Sequence, residues 1–335
     1  MIEDPLYTEY KKLCKDIRKI YVIPKINFSS PGTDYLYLLY KDFLENKNDF
    51  LLEIRSLSIF RHYEIILSRI KNENSILHYH WLEITDLKSL AGMVWKISAV
   101  SLFKLLGGKI IWTVHNKFPH RRCCLFLNKI IRIYFAFLAD KIHVHCSGAA
   151  DIMGPILKVK PDKFFTVKHP EFPAVIIPRD RSIDLLKEKY KTALELKKKK
   201  NFLMFGAIAR YKGIIEAAAL FKDLRNNNLI IAGPVKRWDK GYLKEVLIAV
   251  RNASNICLIP KFIPDVDIPV FFNCADFLLF NFSEILTSGS VILGLNYGKK
   301  VIAPAAGCIR EIDEENIIKF EPGNIRELKA VLHSL

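Results

Sequence analysis

Acidic residues are missing from one long stretch of this 335-residue chain: from Leu87 to Ala139 there is no Asp or Glu, while nine Lys and Arg residues are present. Other absences narrow the possibilities. The seven cysteines are odd in number and scattered, with no C-x-x-C spacing and no signal peptide before them. That pattern argues against a disulfide framework or a zinc knuckle and predicts a reducing, cytoplasmic setting. No uncharged apolar run approaches the roughly 18 residues that span a bilayer, so a transmembrane segment is excluded. Short-period repeats and low-complexity tracts are lacking as well, which removes solenoids and disordered linkers.

What is present is a chain that is 50% apolar and longer than one core usually supports, so two domains are expected. Its formal charge of +16 calls for an acidic partner: a nucleic acid, an anionic membrane or a phosphorylated small molecule. The acid-free stretch interleaves cations with two apolar helical segments, VWKISAVSLFKLL and LFLNKIIRIYFAFLA, as an interfacial helix does. Packing helices with snorkelling lysines would read the same way. Arg121, Arg122, Lys129 and Arg132 flank or interrupt the more apolar helix and are the expected membrane contacts, placing the protein on the inner face of a membrane as a peripheral protein.

Strand-like runs at 19–23, 50–54, 76–80, 109–114, 141–146 and 164–167 alternate with helical stretches. The alternation resumes at 201–205, 229–232, 256–259, 277–280, 301–303 and 317–320. Strands separated by helices of ten or more residues argue for parallel, doubly wound α/β sheets, whose ligands sit beyond the strands' carboxyl ends. Prolines cluster near 170–181, so the reading is a first domain over 1–170, a linker and basic helix over 171–200, and a second domain over 201–335. The run Lys197 to Lys200 is expected at the solvated C-terminal end of that helix.

Three loops in the second half each follow a strand. FGAIARYKG (205–213) offers a glycine turn at Gly206, then Arg210 and Lys212 ahead of a helix, an arrangement suited to a diphosphate. An AGP turn (232–234) is the second. The third, SEILTSG, brings Glu284, Thr287, Ser288 and Gly289 to a helix start, where free amides suit a phosphate, although Thr287 or Ser288 could simply cap the helix. In the first half, His78 with His80 and His143 with His145 form HxH pairs that share a strand face. Without supporting carboxylates or cysteines they read as cleft-lining or packed histidines and no metal site is expected.

Taken together, FGAIARYKG, NLIIAGP, IPKFIPDVDIPVFFNCADFLLF, FSEILTSGSVILGLNYGKKVIAP and, in the first half, IIWTVHN with Pro119 and His120 resemble the motifs of the large retaining group of glycosyltransferases, family 4 (group 1). The resemblance implies the GT-B fold, α/β with two doubly wound Rossmann-like domains facing each other across a cleft. It implies a nucleotide-sugar donor as substrate on the second domain, no cofactor or metal, and a glycan or lipid-linked acceptor on the first, in surface polysaccharide or glycolipid synthesis. His115 would face the transferred sugar. Arg210 and Lys212 would hold the diphosphate, and backbone amides at Ser288 and Gly289 would cradle its distal phosphate. Several positions depart from the pattern: Leu293 stands where the family has its second glutamate and Ile285, beside Glu284, where it has its first, Ala209 stands where its arginine falls, one place before Arg210, and Arg121 where the histidine loop often has an acid. The chain also stops at Leu335, without the family's long final helices. An epimerase of the same architecture is the alternative, needing cleft carboxylates of which only Glu83 and Asp86 follow a first-domain strand closely. A basic nucleic-acid-binding protein is a further one, but no zinc-finger, RRM or KH signature appears, so no nucleic-acid partner is expected.

Overall fold

A computed structural model describes residues 4–46, 50–84, 86–119 and 124–335. The chain divides into two compact units, Met1–Pro170 and Glu171–Leu335.

In the first unit the described strands are β1 (Lys19–Ile23), β2 (Glu53–Ser56), β3 (Ser75–Tyr79), β4 (Lys109–Thr113), β5 (Lys141–Val144) and β6 (Phe164–Thr166). They form one six-stranded sheet in the order β2-β1-β3-β4-β5-β6, and every pairing is parallel. Chain order reverses between β1 and β3. Ser75 through Tyr79 are buried without interruption, as expected of a parallel strand covered on both faces. On one face α1 (Pro5–Leu13) and α2 (Tyr35–Glu45) pack Tyr10, Leu36, Tyr40 and Phe43 over Ile20, Val22 and Ile76. Each begins with an aspartate, Asp4 or Asp34, whose carboxylate accepts from the amide three residues on. The strand expected from Phe50 begins only at Glu53. Leu51 sits at φ +48°, off the extended conformation, and Phe50 is drawn into an aromatic cluster 5.2 Å from Tyr7 and 4.8 Å from Phe43. Ring packing overrides strand propensity there.

The second unit carries β7 (Lys200–Phe205), β8 (Asn227–Ala232), β9 (Ile256–Ile259), β10 (Phe277–Leu279), β11 (Lys300–Pro304) and β12 (Ile317–Phe320). Their order is β12-β11-β10-β7-β8-β9, again wholly parallel. Alternate residues feed opposite cores: Leu203, Ile230, Leu278 and Val301 one side, Phe202, Met204, Leu229 and Leu279 the other. Chain order reverses between β7 and β10, so the loops after these two strands open at a topological switch point.

Residues 171–200, read from the sequence as a linker and basic helix, pack as part of this unit. Arg179 donates to both carboxylate oxygens of Asp276 at 3.1 Å, and Ile183 and Leu186 are fully buried against Phe271 and its neighbours. The helix itself, Arg179–Tyr190, ends when Lys191 turns left-handed at φ 52°. The lysines at 197–200 are therefore not a helix end. Lys197 pairs with Asp184, Lys198 and Lys199 with Glu195, and Lys200 opens β7.

Candidate functional site

At the switch point of the second sheet, the backbone comes together so closely that glycine is required. Gly206 directly follows β7 with φ +105°, and a Cβ there would lie 2.7 Å from Lys212 Nζ and 3.4 Å from Ser290 Oγ. Gly233, after β8, approaches it from the next loop: a Cβ on Gly233 would fall 2.0 Å from the Gly206 carbonyl oxygen. The 3₁₀ turn Arg210–Lys212 follows, closed by Gly213 at φ +60°, and α8 (Ile214–Asp223) begins. The loop after β10 is laced to this turn. Ser283 N–H donates to the Tyr211 carbonyl at 2.9 Å, and the Asn281 amide donates to the Gly213 carbonyl at 3.2 Å.

Lys212 is the electrostatic centre of the arrangement. Its side chain is buried, and its ammonium donates to the Phe205 carbonyl at 2.9 Å. It also lies 5.6 Å from the Phe282 ring centre. Burial pushes the Lys212 ammonium down to about 8, with the nearby positive charge of Lys236 adding to the shift. Among the described residues no carboxylate pairs with it, so two of its three N–H donors are unspent on the protein.

Beside it begins α11 (Gly289–Asn296). Ser288 is its N-cap, and Ser288 Oγ accepts from Val291 N–H at 3.3 Å. The capping role weighed from the sequence is therefore real, yet it occupies only the Val291 amide. Gly289 and Ser290, in the first turn, have no intrahelical acceptor for their N–H groups. Thr287 and Glu284 are half-buried on the same loop, with the Thr287 hydroxyl 3.4 Å from Cys308 Sγ. Ser290, whose Oγ faces Gly206, had no signal in the sequence beyond following Gly289. Leu293 packs into the hydrophobic core, so no carboxylate stands at that position.

Arg210 goes elsewhere. Its guanidinium forks onto Glu245 of α9 (Lys240–Val250) and lies 4.9 Å from the Tyr242 ring. The structure thus brings Gly206, Lys212, Ser288 and Gly289 together and ties Arg210 to an exposed acid.

In the first unit, His115 follows β4, where Trp81 stacks on it in near-parallel fashion at 4.3 Å. It belongs to a buried histidine and tyrosine cluster that the HxH pairs only hinted at. His78 in β3 with His80 just beyond it, and His143 in β5 with His145 just beyond it, converge with Tyr10, Tyr35, Tyr40 and Thr113. His115 Nε2 is 3.2 Å from His80 Nδ1, and the Tyr35 ring lies edge-on to it at 4.7 Å. Burial holds His78, His80, His115 and His145 well below the ordinary histidine range, and brings His143 to about 3 and His169 to about 4. These rings are neutral at pH 7. The same burial raises the Tyr10, Tyr35 and Tyr40 phenols well above their usual range. Among the described residues no group of three or more His, Cys, Asp or Glu is arranged to hold a metal ion.

The expected membrane cations fare differently. Arg121 and Arg122, like His120, lie outside the described residues. Lys129 is exposed on α5 (Leu125–Leu138). Arg132, expected at the surface, is instead buried: its guanidinium donates to the Asn116 and Lys117 carbonyls at 2.6 and 2.7 Å and lies 5.8 Å from the Trp112 ring centre. It is a clamp on the loop after His115, not a membrane contact, and burial pushes it down to about 10. Among the described residues no helix is long and apolar enough to cross a membrane.

No protein-family model matches the chain, and no curated protein matches it in sequence. Solved structures do resemble it. HepE from Anabaena, crystallised with UDP, superposes with a TM-score of 0.64 at 11% identity over 95% of this chain and 89% of its own. A glycosyltransferase from Rickettsia africae gives a TM-score of 0.64 at 15% identity, over 95% of this chain and 88% of its own. The catalytic domain of starch synthase IV from Arabidopsis thaliana, bound to ADP and acarbose, gives 0.56 at 12% identity, over 81% of this chain and 67% of its own. These likenesses show that the chain has the GT-B fold.

Proposed function

We propose that this protein is a glycosyltransferase that takes its sugar from a nucleoside-diphosphate sugar, with the diphosphate held at the switch point of the second unit. The observation that carries the reading is Lys212, a buried ammonium with spare donors that shares the close approach at Gly206 with Ser290 in the first turn of α11. A cation and a helix N-terminus converging on glycine-lined space suit an anion that gains charge as it leaves. The UDP and ADP in the HepE and starch synthase IV crystals support a nucleoside diphosphate. With a fixed ammonium in that position, metal-independent transfer is part of the proposal, and so is the retaining outcome implied by the motifs. His115 of the first unit would act on the transferred sugar.

For the acceptor we propose a glycan carried on a lipid. A pocket of about 400 Å³ in the first unit, lined mainly by apolar side chains such as Phe118, Leu125, Phe126 and Ile156, also includes Lys129 and Lys158 in its wall. Apolar lining with these two lysines, and with Arg132 also in the wall, fits an amphiphile with an anionic head group. Peripheral attachment to the cytoplasmic face of a membrane, in surface polysaccharide or glycolipid synthesis, belongs to the same reading.

The test is turnover of a panel of nucleotide sugars by the wild type and by Lys212→Ala and Arg210→Ala. Losing the buried cation should cost roughly 3 kcal/mol, or ~100-fold in rate. Arg210→Ala, which breaks an exposed ion pair, should change the rate only a few-fold. Unchanged turnover in Lys212→Ala would remove this loop from the site.

A further inference from the structure

Trp81 lies just past the carboxyl end of β3 and is 39% exposed, although an indole has more apolar surface to hide than almost any other side chain. Chain order in the first sheet reverses between β1 and β3, so the loop that carries Trp81 opens at that sheet's switch point, where ligands of open α/β sheets bind. One face of the indole is covered by His115, 4.3 Å away with 10° between the ring planes. Two further rings brace the pair from the side. Tyr35 is nearer to His115, at 4.7 Å, than to Trp81, at 5.7 Å. His80 is likewise nearer to His115, at 5.4 Å, than to Trp81, at 5.8 Å. A ring lying over the far face of the indole would be nearer to Trp81, so neither covers it. Among the described residues these three are the only rings against Trp81, and its indole N–H has no hydrogen-bond partner. A small hollow beside it is lined by Trp81, His115, Glu83 and Asn116, and there Asn116 Nδ2 donates to Glu83 Oε1 at 3.4 Å.

We propose that Trp81 is the platform on which a pyranose ring of the acceptor stacks. A pyranose puts its hydroxyls at the rim and its axial C–H bonds on the faces, and those C–H groups carry the partial positive charge that the negative face of an aromatic ring attracts. The open face of Trp81 takes the C–H side of the sugar, while the indole N–H, the Glu83 carboxylate and the Asn116 amide stand at the rim for its hydroxyls. The stack on His115 fixes the indole before any ligand arrives, so little side-chain freedom is lost on binding. His80, His115 and His145 behind it are neutral at pH 7, which suits an uncharged ring. That the sugar belongs to an acceptor rests on the glycosyl-transfer reading; that the platform takes a pyranose does not.

The experiment is an NMR titration of the full chain, labelled with ¹⁵N-tryptophan, with methyl β-D-glucopyranoside, methyl β-D-galactopyranoside and methyl N-acetyl-β-D-glucosaminide at up to tens of millimolar, without nucleotide. The Trp81 indole N–H is assigned by the signal lost in Trp81→Phe. At least one pyranoside should shift that signal saturably while the Trp95 and Trp238 signals stay in place. Saturation transfer observed on the sugar should then show affinity reduced about tenfold in Trp81→Ala and kept within about threefold in Trp81→Phe, which retains an aromatic face. The proposal is overturned if no pyranoside moves the Trp81 signal, an outcome that needs no variant to fold. It is overturned equally if open-chain sorbitol or uridine moves the signal as much as the pyranosides do, or if a folded Trp81→Ala binds the sugar as tightly as the wild type. Failure of the glycosyl-transfer reading would appear separately, as no turnover of any nucleotide sugar while the pyranoside still binds at Trp81.

Discussion

Gly206 shows how much of the site is set by single atoms. Its φ of +105° and the 2.7 Å from a would-be Cβ to Lys212 Nζ leave room for hydrogen alone. Gly206→Ala is expected to lower stability by about 1–3 kcal/mol through backbone strain and to push the ammonium off the Phe205 carbonyl. Both the melting temperature and the affinity for UDP should fall. A variant that keeps wild-type affinity would mean that Lys212 does not need this position. The glycine turn and Lys212 were legible in the sequence because spacing after a strand announces them. The fate of Arg210 was not, because its partner Glu245 is 35 residues away and nothing local says which of two neighbouring cations turns inward. Arg132 was misread for a related reason. A cation on an apolar helix looks like a surface anchor until the carbonyls of Asn116 and Lys117, 16 and 15 residues earlier, are seen to take all its attention.

At the scale of elements, the strand and helix alternation was readable almost throughout, since parallel strands buried on both faces appear as short apolar runs. Strand order was not readable, and it is order that puts the loops of β7 and β10 side by side. The HxH pairs announced shared strand faces, but their convergence with α1 and α2 depends on those helices covering the β1 side of the sheet. The convergence makes acid stability of the first unit predictable. Folded-state values for His78, His80, His115, His143, His145 and His169 lie below the unfolded value near 6.5. Above that pH both states are neutral at these sites and nothing is gained or lost. Below it the unfolded chain binds protons that the native state refuses, so stability falls by up to ~1.4 kcal/mol per pH unit for each ring, down toward the value of about 4 for His169 and about 3 for His143. Denaturant midpoints for the first unit should therefore drop steeply between pH 7 and 5. A midpoint that is flat over that range would show that these rings titrate as if exposed.

For the whole molecule, the charge of +16 still asks for an acidic surface. With Arg132 buried, the surface on offer is Lys129 together with exposed apolar side chains: Phe126 and Phe137 on α5, each 73% exposed, and Leu105 at the end of α4 (Leu87–Leu105), 84% exposed. Each basic residue near an anionic surface contributes about 1 kcal/mol. Vesicle sedimentation should show binding to anionic but not neutral lipid, weakened by salt and by changing Arg121, Arg122 and Lys129 to Gln. Equal binding to both lipids would make apolar insertion the driving term, and binding to neither would remove the membrane from the account.

The most direct measurement of the central claim is calorimetric titration of UDP between pH 7 and 9 in buffers of different ionisation heat. Lys212 titrates near 8 when free, and a bound diphosphate must raise that value. Affinity should therefore weaken as pH rises through 8, and binding near pH 8.5 should take up a fraction of a proton, an uptake abolished in Lys212→Met. Binding with no proton uptake, and with the same affinity in Lys212→Met, would contradict the assignment of Lys212 to the diphosphate.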